Sequence, residues 1–225
     1  MPSAPEWTYN HATNLRDHWW WRPGWQVGTR FYTWHITFNG QDKLHQLVDT
    51  YQAELARHPG LDLIPHQWLH LTMQGVGHTA DITTDEINIL LAAAQTRLAA
   101  LDPVTVAFHR PVIRPEAIVL PALPPAEIDR IRDAVRAAIA DTLGPGSVPD
   151  EAHGFQPHVT LAYSSSSQSA DVIKSAIESI ASEPVEVSIP TVSLIELHRD
   201  NRMYEWHTIA EVPIGSEASS THPDR

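Results

Sequence analysis

The chain is 225 residues long, 42% hydrophobic and 19% charged, which is enough apolar material to order a core and excludes both global disorder and a peptide-sized scaffold. It has no cysteine, which removes disulfide frameworks, zinc ribbons, iron–sulfur ligation and thiol catalysis together. A net charge of −12 repels long polyanions, so no grip on long nucleic acid by charge is expected, although basic residues that are arginine except for Lys43 and Lys174 suit fork-like phosphate contacts.

Residues 1–28 are rich in Trp, Pro and Gly and show neither helical nor strand periodicity. They read as an arm in which Trp19, Trp20, Trp21 and Trp25 pack against the body, with base stacking by one of these rings as the minor reading. The arm lacks the basic start and apolar run of a secretory signal, and no run of about 18 apolar residues occurs, so a cytoplasmic protein without a membrane span is expected.

From Phe31 to Phe38 the sequence alternates, with Tyr32, Trp34, Ile36 and Phe38 on one face and Thr33, His35 and Thr37 on the other, which predicts a strand. Leu44, Leu47, Val48, Tyr51 and Leu55 recur at helical spacing from Lys43 to Arg57, where His58-Pro59-Gly60 stops the helix. A strand over Trp68–Met73 follows, then a helix from Asp85 to about Ala100 capped by Thr84, then strands over 104–113 and 117–123. Pro124-Pro125 opens a helix from Ala126 to Leu143 with Ile128, Ile131, Val135 and Ile139 as its buried stripe. Beyond the loop 144–155 the pattern gives a strand from His158 to Tyr163, a helix from Ala170 to Ala181, and closing strands over 185–197 and 204–214. Residues 215–225 read as a disordered tail. The order predicts an α+β fold: one domain over 29–214 whose sheets are covered by helices on one side.

Two of these strands carry the chemistry. His70-Leu-Thr72 and His158-Val-Thr160 each sit on a strand followed by a polar loop and a helix, a weak internal duplication. Alternation turns His70 and Thr72 one way and Leu71 and Met73 into the core, and treats His158 and Thr160 likewise against Val159 and Leu161. Two imidazoles facing across a cleft can share one phosphodiester, one taking a proton from the attacking oxygen while the other gives one to the leaving oxygen. Two threonine hydroxyls can donate to the non-bridging oxygens.

The bare tripeptide is weak evidence, since 14 His and 17 Thr place about one His-x-Thr in the chain by chance and four occur. His11-Ala-Thr13 lies in the arm and reads as surface. His35-Ile-Thr37 lies on a strand, so His35 is either a strand histidine facing a helix or loop, or a supporting group of the same cleft. His70 and His158 alone share the strand, loop and helix context.

His70-Leu71-Thr72-Met73 and Pro157-His158-Val159-Thr160-Leu161 resemble the paired signatures of the 2H phosphoesterase superfamily, which includes bacterial 2′-5′ RNA ligase-like proteins and RNA 2′,3′-cyclic phosphodiesterases. The similarity covers roughly residues 30–213. It implies a bilobal fold, two pseudo-symmetric lobes with antiparallel sheets flanked by helices around a central cleft. It also implies opening of 2′,3′-cyclic phosphates to 2′-phosphates without metal or cofactor. His70 would be the proton donor, His158 the acceptor, and Thr72 and Thr160 the phosphate binders; residue chemistry by itself leaves the order of the two histidines open.

Many bacterial relatives look like Arg-Pro-His-Val-Thr-Leu-Ala-Arg at the second motif, whereas this chain has Gln156 and Tyr163 in place of the two arginines. The missing charges favour a nucleotide or short oligonucleotide as substrate over long RNA, and Tyr163 is either packed or offered to a base. Arg114 is a further candidate for substrate binding, although it, Arg110 and Arg199 also fit a solvated surface; Trp34, Trp68 and Trp206 follow strand alternation and read as core. His66 and His70 fail as a zinc pair, because Pro65 and the strand-like context spoil helical spacing and no HExxH occurs. A monomer is expected, and the alternatives to hydrolysis are a nucleotide-binding module of the same fold or a 2′-5′ RNA end ligase or 2′-5′ oligonucleotide phosphodiesterase.

Overall fold

A computed structural model describes residues 5–148 and 154–215, so the expected tail from 216 onward and the middle of the loop 144–155 lie outside the described residues. In chain order the elements are β1 (Asn14–Leu15), β2 (Phe31–Thr37), α1 (Asp42–Leu55), β3 (Leu61–Leu63), β4 (His70–His78) and α2 (Thr84–Leu98). Then come β5 (Val104–Phe108), β6 (Val112–Arg114), β7 (Ala117–Pro121), α3 (Pro125–Leu143) and β8 (His158–Ser164). The chain closes with β9 (Gln168–Ser169), α4 (Asp171–Glu178), β10 (Val185–Ile189), β11 (Thr191–His198) and β12 (Glu205–Pro213).

The strands build two antiparallel four-stranded sheets, ordered β12-β11-β2-β4 and β3-β8-β7-β6, with β5 and β10 as a separate ribbon and β1 paired to β9. Helices α2 and α3 pack on the first sheet and α1 on the second, with α4 beside α1. The helices are exchanged: α1 leaves the first sheet and covers the second, while α3 leaves the second and covers the first. The expected α1 stripe of Leu44, Leu47, Val48, Tyr51 and Leu55 is buried, as is the α3 stripe of Ile128, Ile131, Val135 and Ile139. Each such aliphatic side chain contributes about 1.5–3 kcal/mol by leaving water.

Several boundaries differ from the sequence reading. The segment 104–113 is two strands in different sheets, broken at His109-Arg110-Pro111, where Pro111 has no N–H for a ladder. The strand at the first motif continues past Met73 to His78, because Gly75 and Gly77 still pair with Thr33 and Tyr32. The helix after it is capped by Thr83 rather than Thr84: the Glu86 N–H donates to Thr83 Oγ1 at 3.3 Å and the Thr83 N–H donates to Glu86 Oε2 at 2.8 Å. Thr83→Ala is expected to lower stability by about 1 kcal/mol, read as a urea midpoint shift that largely disappears in a Glu86→Ala background. The helix expected over Ala170–Ala181 is shorter, Asp171–Glu178.

Both motif strands carry an extra residue at the same place, and β4 has a second one at Val76. Thr72 pairs with His35 and Gln74 with Trp34, which leaves Met73 unmatched; Thr160 pairs with Val119 and Ala162 with Ile118, which leaves Leu161 unmatched. A bulge changes which face the following side chain takes. Gln74 accordingly points to the helices, where Arg132 and Arg136 donate to its Oε1 at 3.1 and 2.8 Å. The carbonyls at the bulges are covered from the helices too: Arg132 Nε donates to Met73 O at 3.0 Å, and Gln52 Nε2 donates to Leu161 O at 2.9 Å.

Candidate active site

His70 and His158 begin their strands and are held in the same way. The Nδ1–H of His70 donates to the Trp68 carbonyl at 2.8 Å, and that of His158 to the Gln156 carbonyl at 2.6 Å. A backbone acceptor two residues back fixes each ring and leaves Nε2 outside that bond. His158 and Thr160 line a recess of about 570 Å³, and His70 and Thr72 line one of about 280 Å³; Tyr163 lines both, so the two adjoin at its ring as the two sides of a cleft. Tyr163 reaches that position because of the bulge at Leu161, since strict alternation from His158 sends it to the core.

His35 is buried, stacked on His70 with ring centroids 4.3 Å apart and planes 6° from parallel. Its Nε2 lies 3.2 Å from Thr72 Oγ1. Trp206 stands edge-on to His70 at 5.3 Å and meets Trp68 at 4.8 Å. Trp34 is in the core and Trp68 is half-buried against it, whereas Trp206 is half-buried against the first motif, because β12 is an edge strand whose ring partners are the cleft histidines.

The arm crosses the cleft rather than lying beside it. His18 bridges the two sheets, its Nδ1 3.1 Å from Glu116 Oε2 and its Nε2 3.1 Å from the Tyr204 hydroxyl. With the carboxylate accepting at Nδ1–H, Nε2 is the acceptor for the Tyr204 O–H. The same imidazole covers Tyr163 at 4.0 Å and 17°, so that ring is packed, with one face occupied. Arg16 and Arg22 also bind Glu116, at 3.0 and 2.9 Å. Trp19 is buried in the arm, while Trp20 and Trp21 are exposed.

Arg199, read from the sequence as surface, is 3% exposed. Its guanidinium sits over Trp19, Trp21 and Tyr204 at 5.3–5.6 Å and donates to the carbonyls of His18 and Trp20, so it ties down the arm. Arg114 is at the cleft: it donates to Gln156 Oε1 at 2.5 Å and lines the recess with His158. Gln156, the residue in place of an arginine, thus holds another arginine beside the motif. Arg110 is exposed and lies outside both recesses. His66 turns away from His70 and binds Asp49 at 2.7 Å, stacked on His45.

Burial pushes His70 down from 6.5 to about 4, against the Trp68 carbonyl, which favours the cation, and with His158 adding to the fall. Burial lowers His158 too, with Arg114 adding to it. His35 is held well below 6.5 by burial and then by His70. His18 falls to about 4 through burial and Arg22. Burial alone would raise the Glu116 carboxyl, but Arg22, the Trp20 indole and His18 outweigh it and hold it below its usual range.

Sequence reasoning missed His18, Glu116, Tyr204 and Ser193, because none lies in a motif and all four sit outside the strands that carry one. Among the described residues no three His, Asp or Glu side chains converge as a metal site, and no helix is long and apolar enough to cross a membrane.

A family model described as the 2′-5′ RNA ligase superfamily matches residues 19–201. Among solved structures the chain is similar to TT0787 of Thermus thermophilus, at 19% identity and a TM-score of 0.61 over 84% of this chain and 99% of that one. It is similar to E. coli LigT in apo form, at 13% identity and a TM-score of 0.57 over 83% of this chain and 98% of that one. It is also similar to LigT complexed with 3′-AMP, at 13% identity and a TM-score of 0.56 over the same 83% and 98%. No curated protein matches the chain in sequence.

Proposed function

The chain belongs to the 2′-5′ RNA ligase superfamily, and within it we propose a hydrolase that opens the 2′,3′-cyclic phosphate of a nucleotide or short RNA end to a 2′-phosphate. The observation that carries this reading is the pair of imidazoles locked alike by a backbone carbonyl, each with a threonine two residues on, at one cleft. One Nε2 takes a proton from the attacking water as its oxygen bonds to phosphorus. The other gives a proton to O3′ as the P–O3′ bond breaks, so the enzyme ends with the protons exchanged between its two histidines and bulk water restores them. Thr72 and Thr160 donate to the non-bridging oxygens, and Arg114 offsets their charge.

The 3′-AMP complex of LigT is in keeping with an occupant of nucleotide size. The net charge of −12 supports a small substrate over long RNA. Turnover of the four nucleoside 2′,3′-cyclic monophosphates in EDTA, with the product isomer assigned by phosphorus NMR, tests the reading. A 2′-phosphate product supports it; a 3′-phosphate, loss of activity in EDTA, or no turnover of any of the four overturns it.

The lowered pKa values set the pH dependence. The base must be neutral and the acid charged, and in the free cleft both histidines titrate below 6.5. The profile of kcat/KM is therefore expected to be a bell with its maximum below pH 6.5, while kcat peaks at higher pH because the bound anion raises both groups. A kcat/KM that climbs through pH 8 contradicts this.

A further inference from the structure

Ser193, His35 and Thr72 stand in one row across three neighbouring strands, since His35 pairs with Ser193 of β11 on one side and with Thr72 of β4 on the other. Opposed side chains in antiparallel strands share a face, with Cβ atoms about 4.5–5.5 Å apart. Thr72 is exposed to the cleft, whereas His35 and Ser193 are each 1% exposed. Two atoms of the row, His35 Nδ1 and Ser193 Oγ, are buried with no hydrogen-bond partner. They do not bond to each other, so the Nδ1 edge of the ring has no acceptor for a proton.

We propose that His35 is a positioning residue whose Nε2–H donates to Thr72 Oγ1 and so aims the Thr72 hydroxyl proton at the substrate phosphate. This rests on the phosphate site described above. A neutral imidazole has one N–H, so two arrangements exist. With the proton on Nδ1, the bare Nε2 accepts from Thr72; the Thr72 proton is spent on His35, only lone pairs face the anion, and the Nδ1–H is a buried donor without an acceptor. With the proton on Nε2, His35 donates to Thr72 Oγ1, the Thr72 O–H is free to donate into the cleft, and only a lone pair of Nδ1 is left unpaired. The second arrangement orphans one buried donor fewer, and orphaned donors are the rarer defect in folded proteins. Burial and the adjacent His70 keep His35 neutral, so the direction does not reverse on protonation.

At the second motif Val119 stands opposite Thr160, where His35 stands opposite Thr72, and the Thr160 side chain meets Tyr163 instead. The two threonines are therefore held by different partners.

Nitrogen-15 NMR of the full chain reads the tautomer directly. Nε2–H on His35 supports the proposal; Nδ1–H overturns it whatever the activity. His35→Phe keeps a ring on His70 and removes the donor, and is expected to weaken inorganic phosphate binding about tenfold. His35→Gln restores an N–H and is expected to recover most of that loss, which a packing role would not do. In a Thr72→Val background His35→Phe should have less than about a twofold effect, and full additivity overturns the proposal. Phosphate binding that follows this pattern while no cyclic phosphate turns over sinks the hydrolase reading and leaves the role of His35 standing.

Discussion

His70→Ala and His158→Ala are each expected to lower kcat on a nucleoside 2′,3′-cyclic phosphate by about a thousandfold, with the double replacement falling little further. The size follows from the absence of a substitute in the cleft. His35 has its Nε2 committed to Thr72, and both nitrogens of His18 are engaged by Glu116 and Tyr204. Neither ring is free to take over proton transfer. KM should move far less than kcat, because Thr72, Thr160 and Arg114 still hold the phosphate. Steady-state rates beside urea unfolding curves separate lost chemistry from lost folding. A folded single variant that keeps more than about a tenth of the wild-type rate rejects acid–base catalysis by that histidine.

Acid is expected to unfold the protein well above the range in which carboxylates alone would do it. His18 and His70 both titrate near 4 when folded and near 6.5 when the chain is open. Between those values the unfolded chain binds more protons, so stability rises with pH there and falls as pH drops through the window. It is fully present above 6.5 and lost towards 4. The gap is worth roughly 3 kcal/mol for each histidine. Two such groups act on a total of about 5–15 kcal/mol for a typical domain. Glu116, lowered in the fold, adds loss of the same sign further down. Urea midpoints at pH 7, 5.5 and 4.5 check this, with His18→Phe expected to flatten part of the slope. Midpoints that stay level over that interval contradict the burial of neutral histidines.

The helices were legible because their buried stripes are set by a period that nothing later disturbs: every predicted stripe residue of α1 and α3 is buried. The paired motifs were legible for a similar reason, since a histidine and a threonine two apart on a strand share a face whatever the strand pairs with. What lies beyond one strand was not. Strict alternation cannot foresee an unmatched residue at Leu161, and Tyr163 reaches the cleft only through it. Arg199 is buried by three aromatic rings brought together from residues 19 to 204, a cage with no local signature. His18 lies in an aperiodic segment, and its role comes from spanning two sheets.

The matched irregularities at Met73 and Leu161 bear on ancestry. A shared tripeptide is cheap to arise twice, but a shared irregularity is less so: in both strands an extra residue falls one place after the threonine, and in both a side chain from the covering helix donates to its carbonyl. Copying of one unit that already contained the irregularity would account for both. On that account the differences between the halves came after copying. One half kept a valine opposite its threonine where the other has His35, and Tyr163 stands where its counterpart has Gly75, with the Phe31 ring 3.0 Å from where a side chain would begin. Symmetry accounts for the two histidine–threonine pairs, and its loss for the difference between the two sides of the cleft.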